Sequence, residues 1–424
     1  MKRRSHPLRS VAQEKRRSRV KELAETAEIA VMGGGRWTSY LLAGVFAAGC
    51  GSSSPGGSSG SGGTGATGGT TGNGGSIATG GTKGTGGTTG SGGATGSGDA
   101  TGSGGAAGVM GGLFTKPEPW TKDLSGLTKD ASSDAIIAAL KKAGGWGGGR
   151  MQIDFSIPLF FASSSTPRET IEGPMPGGYP YCYGGTDCDP VPLQMPIPTT
   201  GNAEGSTNYT CDTSGNTNGQ GDCHVLVVET GQQRLYELYN ATQNGSVIDA
   251  LVAVIWDLTK TYPANERGDQ CTSADAGGFP IAALLPTADE VAAGAVNHAL
   301  RFILPNPYMR KKTYVHPASH AGSPSSPDAN APPYGVRFRL KASFDDSSYN
   351  ASEKVIIAAM KKFGMLLSDG GTIPLTFADD RTSTAKWSDL GVSALSFSTI
   401  TVDDFEVVDF STPVAQTDNC VRNP

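Results

Sequence analysis

Apolar and polar residues alternate in short runs along the C-terminal part of this chain. Met151, Ile153, Phe155, Ile157 and Leu159 alternate with Gln152, Asp154, Ser156 and Pro158, the mark of a half-buried strand. Val225–Val228, Arg234–Tyr239 and Val247–Trp256 predict three successive strands, the last so apolar that it belongs inside a sheet. Val336, Phe338 and Leu340 alternate with Arg337, Arg339 and Lys341, and Ser396–Phe410 adds strand-like sequence. The period turns helical in three places. Ser132 or Ser133 opens 134–143, which stops at Gly144-Gly145. Thr287 and Glu290 form a capping box ahead of 288–296, and Asn350 with Glu353 opens 351–363, which stops at Gly364. From His298 the period of two resumes, with His298, Leu300, Phe302 and Leu304 on one face and Ala299, Arg301 and Ile303 on the other. Many short strands and three short helices predict a mainly β domain, a β-sandwich or jelly roll, with α+β as the alternative. The first and third helices share the text IIAA(L/M)KK, which a duplicated half-domain would also produce.

Composition divides the chain further. Residues 1–36 are basic and polar, and Trp37 to Gly49 is an apolar run too short for a bilayer, which takes about 20 residues. It ends in Ala-Ala-Gly-Cys, so 1–49 predict an exported bacterial lipoprotein with Cys50 lipidated, and Met32 is an alternative start. Residues 50–112 are rich in Gly, Ser and Thr, with a single Lys and a single Asp, and predict a tether with a typical reach of about 40–50 Å. The remainder, 113–424, has a globular composition and reads as one extracellular domain. The whole chain has 34 basic and 39 acidic residues, of which ten and four lie in 1–49. The processed chain therefore keeps 24 and 35, a net charge of about −11, which speaks against a nucleic-acid ligand. The membrane partner is then expected through lipid, at the cell surface or in the periplasm.

Six cysteines follow Cys50 and none form a Cys-x-x-Cys pair. An even number in an exported domain predicts disulfides, with Cys182–Cys188 and Cys211–Cys223 as local staples and Cys271–Cys420 fastening the tail. The blocks GDCHVLVVE, CTSADAGG, HALRF and PPYGVRFRLK resemble a group of secreted or lipid-anchored bacterial proteins. That resemblance implies an extracellular single domain and carries no chemistry with it.

Candidate chemistry comes from carboxylates, histidines and one basic row. Glycoside hydrolysis needs two carboxyls about a bond, one raised to act as acid. Asp257, after Trp256 at the end of an apolar strand, is the candidate acid, with Asp275 as partner and Glu229 and His298 as further catalytic candidates. A polyuronate lyase is the alternative: Arg301, Arg337, Arg339, Lys341 and Tyr334 would hold the acidic glycan, with a histidine or tyrosine as base. A glycan-binding or structural surface protein without catalysis is the third reading. None of these needs a cofactor. The spacing His316-x-x-x-His320 would suit zinc, and the oxygen-rich run Asp212–Asp222 would suit calcium, although it lacks the EF-hand glycine and glutamate. In every reading but the structural one the expected ligand is a polysaccharide.

Overall fold

Proline 158 divides what the alternation reads as one strand. The computed structural model describes residues 112–174, 179–213, 221–417 and 419–423, and in it Ile153–Ile157 is β1 and Leu159–Ala162 is β2. β1 pairs with Leu375–Ala378 in one sheet, whereas β2 pairs in parallel with His224–Glu229 in another. Proline has no N–H to give a ladder, so the chain changes sheets there.

The remaining strands are β3 (Arg168–Glu172), β4 (Leu193–Pro196), β5 (His224–Glu229), β6 (Arg234–Asn244) and β7 (Val247–Asp257). They are followed by β8 (Leu300–Leu304), β9 (Thr313–Tyr314), β10 (Arg337–Leu340), β11 (Met365–Gly370), β12 (Leu375–Ala378), β13 (Phe405–Val407) and β14 (Val414–Ala415). The first six-stranded sheet runs β1-β12-β8-β11-β10-β13, and the second runs β2-β5-β6-β7-β3-β4. Both mix parallel and antiparallel pairs, and β9 with β14 makes a small separate ribbon. Among the described residues the helices are α1 (Ser133–Ala143), α2 (Ala288–Ala292) and α3 (Ala351–Lys362). The molecule is a mainly β, sandwich-like domain, as the alternation implies. No described helix is long and apolar enough to cross a membrane. The expected leader, Cys50 and most of the tether lie outside the described residues.

Local signals act as their chemistry dictates. The Thr287 hydroxyl accepts from the Glu290 amide at 3.2 Å and the Glu290 carboxylate accepts from the Thr287 amide at 3.0 Å. The same reciprocal bonds join Asn350 and Glu353, each at 2.9 Å. α2 is shorter than its pattern, because Gly294 takes φ +89 and ends it. Of Ser396–Phe410, only β13 becomes a strand, and turns with a 3-10 segment form the rest. α1 and α3, which share their text, pack on β13 and β10 of the same sheet and so are not matching parts of two sheets.

Burial follows the period of two. Leu226 and Val228 join the main core, while Val225 and Val227 join a second cluster with Ile197, Ala203 and Tyr209. The second sheet is therefore covered on both faces, the outer one by the loops between β4 and β5. On the first sheet Phe302, Phe338 and Phe405 gather round Trp146 with centroids 5.4–6.4 Å away. All three expected disulfides form: Cys182–Cys188, Cys211–Cys223 and Cys271–Cys420.

Candidate functional site

Between the two sheets opens a cavity of about 630 Å³. The first sheet lines it with Asp154 of β1, Arg301 and Ile303 of β8, Asp369 of β11 and Thr376 of β12. The second sheet contributes His224, Tyr239 and Val252. Loops add Tyr183, Asp187, Glu204, Asp222, His320 and Tyr334. Polar positions that alternation would assign to solvent thus face an internal cleft.

Three groups on the wall form one connected unit. The Ser156 hydroxyl donates to Glu204 Oε1 at 2.6 Å, and the Ser156 amide donates to Asp154 Oδ1 at 2.9 Å. His224 Nδ1 donates to Glu204 Oε2 at 2.7 Å, and Nε2 donates to the Ala274 carbonyl at 3.2 Å. Burial by itself would lower the His224 imidazole, but the hydrogen bond and charge of Glu204, with Asp222 nearby, push it up to about 9. It is an imidazolium at neutral pH, consistent with both nitrogens donating. Burial works to raise Glu204, yet His224 and Ser156 outweigh it and hold that carboxyl below its ordinary value. Asp154 moves the other way: burial raises it and the negative charge of Glu204 raises it further, against the bonds from Ser156. Two neighbouring carboxyls are thereby driven apart in acidity.

A second unit fixes the opposite wall. Arg301 donates from Nε to Asp275 Oδ1 at 3.0 Å, from Nη1 to Thr376 Oγ1 at 3.0 Å and from Nη2 to Asp369 Oδ2 at 2.9 Å. Asp275 is fully buried behind Arg301 and off the cavity wall. Burial raises it to about 6, with Arg301 opposing. The CTSADAGG turn carries it. Ser273 Oγ donates to the Phe279 carbonyl at 2.7 Å, the Gly277 amide donates to the Ser368 carbonyl of β11 at 2.8 Å, and Gly278 holds φ +89 where a Cβ would meet Ser319 Oγ at 2.0 Å.

Of the residues singled out in the sequence, Arg301, Tyr334, His320 and Asp222, the last at the end of the calcium run, reach the cavity wall. The others stand elsewhere. Asp257 ends β7, where bonds from Thr259 hold its carboxyl below its ordinary value, and it does not meet Asp275. Glu229 is buried on the second sheet, accepting from Arg168 at 2.8 Å and Tyr236 at 3.1 Å. His298 is buried too, with Nδ1 on the Ala299 carbonyl and Nε2 3.3 Å from Glu290, so it braces the start of α2. Arg337 and Arg339 do share a sheet face but are not an open anion row. Arg337 donates to the carbonyls of Phe363, Pro119 and Lys122, while Arg339 binds Glu406 and the Leu124 carbonyl. Lys341 donates to the Asp403 carbonyl at 2.6 Å.

The two histidines of the proposed metal pair part company. His316 lies 2.8 Å from Asp269, while His320 bonds the Ala276 carbonyl at 2.8 Å. Among the described residues no group of three or more His, Cys, Asp or Glu side chains is arranged to hold a metal ion. Residues 214–220 of the proposed calcium run lie outside the described residues, and Asp222 at its end lines the cavity mouth. Asp154, Glu204, His224 and Asp369 were not among the sequence candidates, and Asp222 was one only as the end of the calcium run. His224 alone had a usable signal, as the only histidine next to a staple cysteine. Compared with protein-family models, curated proteins and solved structures, the chain finds no match in any of the three.

Proposed function

We propose that this is an exported, lipid-anchored surface protein whose inter-sheet cavity cleaves glycosidic bonds of an extracellular polysaccharide. The observation that carries this reading is the split pair: Asp154 raised and Glu204 lowered, joined through Ser156 on one cavity wall. Asp154, the carboxyl shifted toward its acid form, gives a proton to the departing glycosidic oxygen. Glu204 stays ionised beside the His224 imidazolium and faces the positive charge that grows at the anomeric carbon, where a water then adds and returns a proton to Asp154. Arg301, anchored by Asp275 and Asp369, orients hydroxyls of the bound sugar. The lyase alternative draws less support, since Arg337 and Arg339 spend their guanidinium groups on carbonyls and Glu406.

A binding module without catalysis is favoured by one separate feature. Tyr179 and Tyr183 are about half exposed, with ring centroids 5.7 Å apart, and Tyr183 lines the cavity. Exposed aromatic faces stack on sugar rings. The experiment incubates the oxidised full-length protein with neutral, aminated and uronate polysaccharides while following reducing ends and the absorbance of unsaturated uronates. Hydrolysis gives reducing ends without that absorbance, and both Asp154→Asn and Glu204→Gln remove it. Unsaturated products would favour the lyase. Retention on a glycan without products from any of them would favour the binding module.

A further inference from the structure

The cavity holds more negative charge than glycosidic cleavage uses. Arg301 is matched by Asp275 and Asp369, and His224 by Glu204. Asp187 and Asp222 also line the wall, and among the described residues neither forms an ion pair. Among the described residues Asp187 accepts only the Thr272 amide at 2.8 Å, and Asp222 reaches solvent at the mouth while burial of its carboxyl raises it.

A second observation is independent of that charge. Tyr334 is 1% exposed and lines the cavity, yet no described group hydrogen-bonds its hydroxyl. The chain keeps space at that hydroxyl: a Cβ on Gly322 would come within 3.0 Å of it. The ring itself is pinned by Gly335, at φ +80, where a Cβ would run into the Val315 carbonyl at 1.8 Å. A buried phenol hydroxyl aimed into a polar cavity without a partner costs free energy unless a ligand satisfies it.

Resting on the glycosidase reading, we infer that the cavity selects an amino sugar, with the protonated amine between Asp187 and Asp222 and a sugar hydroxyl on Tyr334. An ammonium supplies the positive charge that the wall lacks, and each hydrogen bond it gives to a carboxylate is charge-assisted. A uronate would add like charge to this wall and is excluded by the same balance. A neutral sugar would satisfy Tyr334 but leave the carboxylates unmatched.

The test is calorimetric binding of three oligosaccharides of equal length to the oxidised full-length protein at neutral pH: glucosamine, N-acetylglucosamine and glucose oligomers. The glucosamine oligomer binds at least about tenfold more tightly than its acetylated counterpart, as charge-assisted contacts require. The preference shrinks as salt rises. Asp222→Asn, at the exposed mouth, reduces the preference without lowering the melting temperature, and Tyr334→Phe weakens all ligands. Equal or weaker binding of the glucosamine oligomer, or no binding of any, overturns the inference. Cleavage of neutral glycans with no amine preference would leave the glycosidase standing without it. Tight, salt-sensitive amine binding without cleavage would uphold the inference and remove the glycosidase.

Discussion

Arg301 and Arg337 occupy one row of one sheet and do different work. Arg337 pairs across to Leu366, and Leu366 pairs across to Arg301, so both arginines point from the same face two strands apart. Over Arg337 lies the 119–122 segment, whose carbonyls take its guanidinium, and burial lowers it to about 10. Over Arg301 lies the cavity, so its guanidinium meets carboxylates and one hydroxyl. What covers a sheet face, more than the residue on it, decides whether a buried cation braces the core or serves a site.

The largest effect expected on the cavity side is chemical. Asp154→Asn should lower turnover by about 10²–10⁴-fold, the usual worth of a positioned general acid, with an unchanged thermal midpoint. A variant that turned over normally would detach the cavity from catalysis. Arg301→Met should destabilise the fold by about 3–5 kcal/mol, because it strands Asp275 as an unpaired buried carboxylate. Adding Asp275→Asn should recover part of that loss in urea titrations. If the double variant is no better than the single one, the pair is not coupled.

Arg337→Met should cost about 1–3 kcal/mol through carbonyls left without a donor, while leaving turnover and ligand affinity alone. Loss of ligand binding in that variant would erase the distinction between the two arginines.

The smallest effect is a double slope in stability against pH. Burial raises Glu118, near the covering segment, from 4.5 to about 7, so its contribution is full below about 4.5 and fades as pH rises through 7. His224, on the cavity wall, is raised from 6.5 to about 9, so its contribution is full below about 6.5 and fades as pH rises through 9. Calorimetric midpoints should fall across both windows. Glu118→Gln should flatten the lower one and Glu204→Gln the upper one. A midpoint that climbed from pH 5 to 9 would reverse both assignments.

Much of the frame was legible. Alternation located β5, β6, β7 and β10, capping boxes located α2 and α3, and export chemistry with loop length gave the cysteine pairs. Pro158 was visible as a proline, but only the fold makes it a switch between sheets. The site was less legible for a related reason. Asp154 and Ser156 occupy the polar positions of an alternating strand, and a pattern of period two cannot tell solvent from a cleft facing a second sheet. Glu204 sits in a loop with no period at all. Asp257 looked like a perturbed acid because it follows an apolar strand, whereas the turn after it supplies Thr259 and holds it ionised. His298 had the right face for a core histidine, and its partner Glu290 was already half identified as the capping residue.

The most direct test of the split pair needs no substrate. Isotope-labelled carboxyl NMR, with Asp154→Asn and Glu204→Gln for assignment, follows each group through its own titration. Asp154 should titrate above the ordinary aspartate value and Glu204 below the ordinary glutamate value. Removing the Glu204 charge should bring Asp154 back toward the ordinary value. Two ordinary titrations, or the reverse order, would contradict the claim that this cavity holds an acid and its ionised partner.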